Sequence, residues 1–218
     1  LIVTNLSADE MFQAVDPKDA TLVKTDSSKE FCNVCGMHLT KFYKTSHATE
    51  FKNGHKEQYC SLHCQAQIEE DHADKIKNIQ VVDTNSLKFI DAKNAIYVVG
   101  SSKPGTMTPV SKYAFSTKEE AVKFQKEFGG EIHTFDESLD MAKKALIKEN
   151  NAIDEKRVPM AIKGKKAFET MCDTKQTKDF NSVGEAKQYL IDNNVCKNLN
   201  PQMMQAVAIY LYNPVLAS

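Results

Sequence analysis

Apolar residues along this chain follow two periods, a strand-like alternation and a helix-like i, i+3, i+7 spacing, and the two succeed each other in the same order twice. Residues 46–51 read as a strand, Asn53-Gly54 as a turn and residues 56–60 as the returning strand. Ser61 then reads as the N-cap of a helix running to about residue 77, followed by a strand at 79–83. The second run begins with a strand at 95–100. A Gly/Pro-bearing loop at 101–109 and a strand at 112–115 follow. Thr117-Lys118-Glu119-Glu120 reads as a capping box, with Thr117 as N-cap and Glu120 at N3. The helix behind it places Ala121, Phe124 and Phe128 on one face; Gly129-Gly130 ends it, and 131–135 is a strand. In this reading Tyr59 corresponds to Tyr113, and 79–83 to 131–135. Each half is strand–strand–helix–strand, which predicts a duplicated ββαβ domain over residues 30–140 with a cleft between the halves.

The flanks are different. Residues 1–29 are polar and aperiodic and are read as an arm with one short helix at 8–14. A charged amphipathic helix is predicted at 136–150 and a polar linker at 148–157, so residues 141–157 are assigned to helix and linker. Residues 158–218 are read as a small all-helical module. Phe168, Met171 and Cys172 share one helical face, 183–191 forms a second helix, and Asn200-Pro201 marks the N-cap and N1 position of a third. On that helix Met204, Val207, Ala208 and Leu211 form an apolar stripe, which assigns Met203-Met204 to core packing. The fold class is therefore α+β, with an all-helical C-terminal module. A module of this size is marginal alone and calls for a staple or a docking surface.

Of the 218 residues, 41% are hydrophobic and 26% charged, with a formal net charge of −1. That balance gives no electrostatic footprint for nucleic acid or an anionic membrane. No apolar run approaches the ~18 residues of a membrane span. The chain opens on Leu1-Ile2-Val3 without an initiator Met, as expected of a processed or trimmed chain whose secretory signal or lipid anchor lies outside the sequence. No Ser/His/Asp, phosphate-loop or paired-carboxylate motif argues for a hydrolase or kinase.

The chemistry concentrates in cysteine. Cys32-x-x-Cys35 and Cys60-x-x-x-Cys64 form two close pairs, whereas Cys172 and Cys196 are isolated. Two such pairs suit a soft metal ion: four thiolates make a tetrahedral zinc knuckle, and thiolate with thioether selects Cu(I). Cys64 falls near N3 of the helix capped by Ser61, where the helix dipole favours a thiolate. Two other uses stay open. Cys32 and Cys35 could exchange as a redox pair, or the four thiols could have a purely structural role, as disulfides or around a zinc. Met37 and His38 beside the first pair, and His63 inside the second, are further candidate ligands. His47, His55, His72 and His133 are expected at the surface or in turns.

The segment Cys32-Asn33-Val34-Cys35-Gly36-Met37 resembles the opening motif of the NosL family. The resemblance continues through Asn53-Gly54-His55, Tyr59-Cys60-Ser61, Thr106-Met107-Thr108-Pro109, Ala114-Phe115, Gly129-Gly130-Glu131 and Phe135-Asp136-Glu137. Cys60-x-x-x-Cys64 is similar to TRASH-type metal-trafficking domains and is missing from many NosL proteins, so it leaves zinc, copper or both open. The resemblance implies a non-enzymatic copper chaperone that delivers Cu(I) for assembly of the copper-sulfide centre of nitrous-oxide reductase. Its partners would be that reductase or its assembly machinery. Its location would be periplasmic, with any membrane attachment through an N-terminal segment absent from this chain. Under that implication the metal ligands are Cys32, Cys35, Met37, Cys60, Cys64 and Met107, the last in a flexible loop. The alternatives are a structural-zinc interaction protein and a thiol–disulfide oxidoreductase using Cys32 and Cys35.

In the tail, Ala167-Phe168-Glu169-Thr170-Met171-Cys172 and residues 202–211 resemble the first and last helices of a small cytochrome c. Asp173 to Gln176 stand where C-x-x-C-H would continue, so no covalent haem is expected. Bridging Cys172 to Cys196 would staple the module, contributing about 3 kcal/mol by chain entropy.

Overall fold

The structure, a computed structural model, describes residues 11–23, 27–175 and 178–217. The short helix expected at 8–14 lies partly outside these; residues 11–14 form a turn closed by Ala14 N–H on the Met11 carbonyl, 2.8 Å. The first half comprises β1 (His47–Phe51), β2 (Lys56–Tyr59), α1 (Leu62–His72) and β3 (Ile76–Val82). A short edge strand, β4 (Phe89–Asp91), adds to it. The second comprises β5 (Ile96–Val99), β6 (Lys112–Phe115), α2 (Lys118–Phe128) and β7 (Glu131–Thr134). The sheets run β2-β1-β3-β4 and β6-β5-β7, antiparallel throughout. In both, the first strand of the unit lies between the second and the third, so the two ββαβ halves share one topology.

The registers fix the correspondence. His47 faces Tyr59 and Val81; Ile96 faces Phe115 and Thr134. Ser61 and Thr117, each two residues after the facing aromatic, cap α1 and α2 by accepting from the N3 amides of Cys64 and Glu120. Tyr59 therefore matches Phe115 and not Tyr113. Matching the two tyrosines ignores the fixed offset between strand and cap.

The repeat extends to the loop ahead of each hairpin. Cys32 N–H donates to Met37 O (2.8 Å) and Gly36 N–H to Cys32 O (2.9 Å). Asp83 N–H donates to Lys88 O and Leu87 N–H to Asp83 O, both 2.9 Å. The turn needs a left-handed residue, which is Gly36 at φ 73° in one half and Leu87 at φ 60° in the other. Asn33 and Thr84 then donate to the carbonyls of Gln58 and Ala114, which hold equivalent register positions.

α3 (Phe135–Met171) is a single 37-residue helix that absorbs the expected linker at 148–157 and the first tail helix. Polar composition alone suggested a linker, but the segment holds no Gly and is rich in helix formers. A helix polar all round is the usual bridge between packed units. Pro159 lacks the N–H that would bond one turn back, and it lies on an exposed face of the helix. The reciprocal capping box belongs here, to Thr134 and Glu137. At α2 the Glu120 carboxylate accepts from Asn85 and Ser116. Two further helices, α4 (Val183–Asp192) and α5 (Pro201–Tyr212), complete the chain. Asn200 caps α5 at 2.8 Å, and Cys172 and Cys196 are bridged.

One apolar core, with Val81, Tyr97, Val99, Phe135 and Leu139, joins the two sheets to α1 and α3. A second fills the face of α2 with Tyr113, Phe115, Phe124 and Phe12. A third, around Phe168, Val183, Leu190 and Val207, holds the helical module. The fourth is built on the cysteines. Among the described residues no helix is long and apolar enough to cross a membrane.

Candidate metal centre

The two cysteine pairs converge. Cys32 and Cys35 ride on the turn before β1. Cys60 closes β2, and Cys64 is the N3 residue of α1, beneath the Ser61 cap. All four sulfurs lie within 4.8 Å of one another; Cys35 Sγ is 3.4 Å from Cys60 Sγ, which is 3.8 Å from Cys64 Sγ. A tetrahedral ion with metal–sulfur bonds of about 2.3 Å separates its sulfurs by roughly 3.8 Å, so the donor set fits one soft ion with little movement. Cys60 and Cys64 thus belong to the same cluster as Cys32 and Cys35.

Cys32, Cys60 and Cys64 are fully buried, whereas Cys35 is 5% exposed and is the cysteine that reaches an adjoining cavity. Burial pushes the Cys32 thiol up, but hydrogen bonds from Cys35, Cys60 and Cys64 outweigh it and hold this thiol well below its ordinary range. Cys60 is pushed up by burial and by Cys32, and Cys64 chiefly by its contact with Cys32. Cys32 is thus eased towards the thiolate, whereas Cys60 and Cys64 hold their protons more tightly and need a cation to release them.

The duplicated loop shows what the chemistry requires. At the positions of Cys32, Cys35, Cys60 and Cys64 the second half carries Asp83, Ser86, Ser116 and Glu120. There the buried Asp83 carboxylate accepts from the amides of Asn85, Ser86 and Ser116 and from two serine hydroxyls. Backbone and hydroxyl donors fill that site, and it is knit by hydrogen bonds. Among the described residues the thiols have no such set of donors: they bond to one another and to the Cys35 amide, and the Cys60 thiol itself donates to Ser61 Oγ.

Met37 and Met107 both pack against the thiol core and line the cavity that Cys35 reaches. The Met107 loop, read from the sequence as flexible, is tied at its base by side-chain hydrogen bonds. Gln13 donates to the carbonyls of Pro104 and Gly105, and Tyr113 to Pro104. Met107 itself is held at φ 68°, an unusual conformation for a long side chain. Thr45 was not foreseen. Its hydroxyl donates to Cys60 O at 2.8 Å and lies 2.8 Å from Thr106 Oγ1, joining the loop to the cluster.

The histidines divide. His38 lines the cavity, with Nδ1 2.9 Å from Thr40 Oγ1; burial lowers its pKa, and Glu30 opposes the shift. His63 points away from the thiols. Its ring nitrogens lie 2.8 Å from Glu149 Oε2 and 3.1 Å from Asn150 Oδ1, which ties α1 to α3. His47 was expected at the surface but is fully buried. Its Nδ1–H donates to Thr45 O, its Nε2 accepts from Tyr97, and burial lowers its pKa to about 3.

The helical module docks on the first knuckle. Gln205 Nε2 donates to Cys35 O at 2.8 Å, and Lys187 Nζ to Gly36 O at 3.1 Å and Gln205 Oε1 at 2.8 Å. Burial brings the Lys187 ammonium down to about 8, with Cys35 opposing the shift. A Cβ on Gly36 would sit 2.6 Å from Val183 Cγ1, so the turn glycine also makes room for α4. No local sequence signal announces the bonds of Lys187 and Gln205 to the first knuckle, which span 151 and 170 residues.

A search of curated proteins returned no match. Among solved structures, the crystal structure of the copper chaperone NosL from Shewanella denitrificans is 27% identical, covering 56% of this chain and 96% of that one with a TM-score of 0.44. No match supports the likeness of the tail to a cytochrome c, and the family match stops before it. The NosL family profile matches residues 23–142, more than half of the sequence and the whole duplicated ββαβ unit, and the chain belongs to the NosL family.

Proposed function

We propose that this protein is a copper chaperone that carries Cu(I) at the junction of its thiol cluster and the methionine-lined cavity. The observation that supports this most is the asymmetry of the cluster: three cysteines are sealed, while Cys35 opens onto a cavity that also holds the thioethers of Met37 and Met107. Thiolate and thioether select Cu(I) over hard cations, and a site open on one side lets an acceptor's ligands replace the carrier's in turn. Free thiols this close in a chain that also carries a disulfide are readily oxidised unless an ion holds them. In this reading the recipient is the nitrous-oxide reductase or its assembly machinery, the compartment is the periplasm, and there is no catalytic turnover.

The test is anaerobic Cu(I) titration against a competing chelator, with metal analysis, on wild type, Met107→Leu and Cys35→Ser. Chelator-resistant binding of one Cu(I), weakened in both variants, supports the carrier; Cu(I) affinity indistinguishable among the three removes it.

A second reading has its own observation. Four converging, almost wholly buried thiols are also the donor set of a structural zinc. Zinc that co-purifies, resists Cu(I) and is needed for folding would favour a zinc-stapled interaction protein. The thiol–disulfide oxidoreductase is less favoured, because Cys32 and Cys35 sit on a turn leading into β1 and not at the start of a helix.

A further inference from the structure

The cavity beside Cys35, about 770 Å³, has two walls of different origin. Met37, His38 and Met107 come from the family domain. Met160 of α3 and Met204 of α5 come from the helical module, beyond the residues that the family profile matches. Met204 packs against the helical core, as the stripe in the sequence predicts, but it lies at the edge of that core: it is half-buried and also lines this cavity, whereas Val207 and Ala208 on the same helix are fully buried. Its neighbour Gln205 is hydrogen-bonded to the Cys35 carbonyl, so the position of Met204 is tied to that of the cysteine.

The other charged groups at the cavity decide what it can hold. Lys41, Lys156, Arg157 and Lys187 line it, against the single carboxylate of Glu30. A hydrated divalent cation would find positive charge and few oxygen ligands. A soft monovalent ion bound to one thiolate carries no net charge and is compatible with those cations, and thioethers complete its coordination without adding charge.

We infer that the helical module completes a transfer site for a soft monovalent ion, in which Cys35 is the thiolate and the ion exchanges among thioethers of the two walls, Met37 and Met107 on one side, Met160 and Met204 on the other. The inference rests on the carrier reading and adds the module to it: the C-terminal helices are half of the ion's way in and out. Binding forms a metal–sulfur bond at Cys35 and releases its thiol proton to solvent; the ion stays monovalent and nothing is oxidised.

The test uses the full chain labelled with ¹³C at the methionine methyls, titrated anaerobically with Ag(I) and then with Cu(I). The methyl signals of Met37, Met107, Met160 and Met204 are expected to move together at the first equivalent, while those of Met141, Met171 and Met203 stay. The Met160→Leu/Met204→Leu variant, close to isosteric, is expected to lose Cu(I) to a chelator about tenfold faster with an unchanged thermal midpoint. If only Met37 and Met107 respond and the double variant releases copper at the wild-type rate, the module takes no part and the inference is overturned. If Cu(I) is retained with no methyl response, the ion is confined to the thiols; the inference again fails, and of the carrier reading only copper binding by the cysteines stands. If no Cu(I) is retained at all, both fail.

Discussion

The side-chain amide of Gln205, near the C-terminus, donates to the backbone carbonyl of Cys35, 170 residues away in sequence, at 2.8 Å. A helix outside the family domain thereby holds the turn that carries two of the four thiols. Lys187 completes the link by donating to both Gly36 and Gln205. Gln205→Ala leaves a buried carbonyl and an ammonium short of a partner, a loss of about 1–3 kcal/mol. Urea unfolding should show the lower midpoint, and hydrogen exchange should quicken at residues 32–37 ahead of the strands.

Gly184 marks the closest approach of α4 to the knuckle. A Cβ there would lie 2.6 Å from the Cys32 carbonyl oxygen. Gly184→Ala must push the helix off the turn, at about 1–3 kcal/mol for overpacking. Cys35, the cysteine at the cavity, should then react faster with iodoacetamide in metal-free protein, while β1 to β3 keep their exchange protection.

Thr45 couples the Met107 loop to the cluster through one hydroxyl. Thr45→Val keeps the shape and removes both links, costing about 1–2 kcal/mol. On the carrier reading its Cu(I) should pass to a chelator faster than from wild type in stopped-flow measurements. An unchanged rate would show that the loop's anchorage has no part in release.

His47 is neutral in the folded protein down to about pH 3, because burial penalises its charged form. In the unfolded chain the ring takes up a proton below about pH 6.5. The unfolded state therefore binds more protons between these values, and stability rises with pH across that window. The contribution is fully present above about 6.5 and is lost on acidification at up to ~1.4 kcal/mol per pH unit. Urea unfolding at pH 7, 5.5 and 4.5 should show a steeper dependence for wild type than for His47→Gln.

The Cys172–Cys196 bridge joins the end of α3 to the segment leading into α5, closing a loop with a sequence separation of 24. Replacing both cysteines with alanine should cost about 3 kcal/mol. The loss should fall on the helical module, seen as early proteolysis around residues 172–200, with the duplicated sheets still folded.

Local order was legible. Ser61, Thr117 and Asn200 announced helix starts because a cap needs only a side-chain oxygen three residues ahead of an amide, and alternation marked the strands that bury one face. β4 was missed because three residues carry no period. The end of α1 was overrun by a few residues, since its last turn gives way to a 3-10 turn at Ala73–Lys75. The continuity of α3 was missed because a solvated helix leaves no apolar stripe to read.

Donor chemistry and family membership are written in short stretches of residues. Thiols at C-x-x-C and C-x-x-x-C spacing, a turn glycine directly after the first pair, and a second set of strand, cap and helix signals are all properties of short segments. Packing, by contrast, settles that the four thiols share one site, that Cys35 is the one of them lining the adjoining cavity, that His63 and His47 are bonded elsewhere, and that the C-terminal helices form the cavity's second wall. Those outcomes depend on contacts between residues far apart in the chain, and such contacts are set by packing of whole elements, which no local pattern encodes.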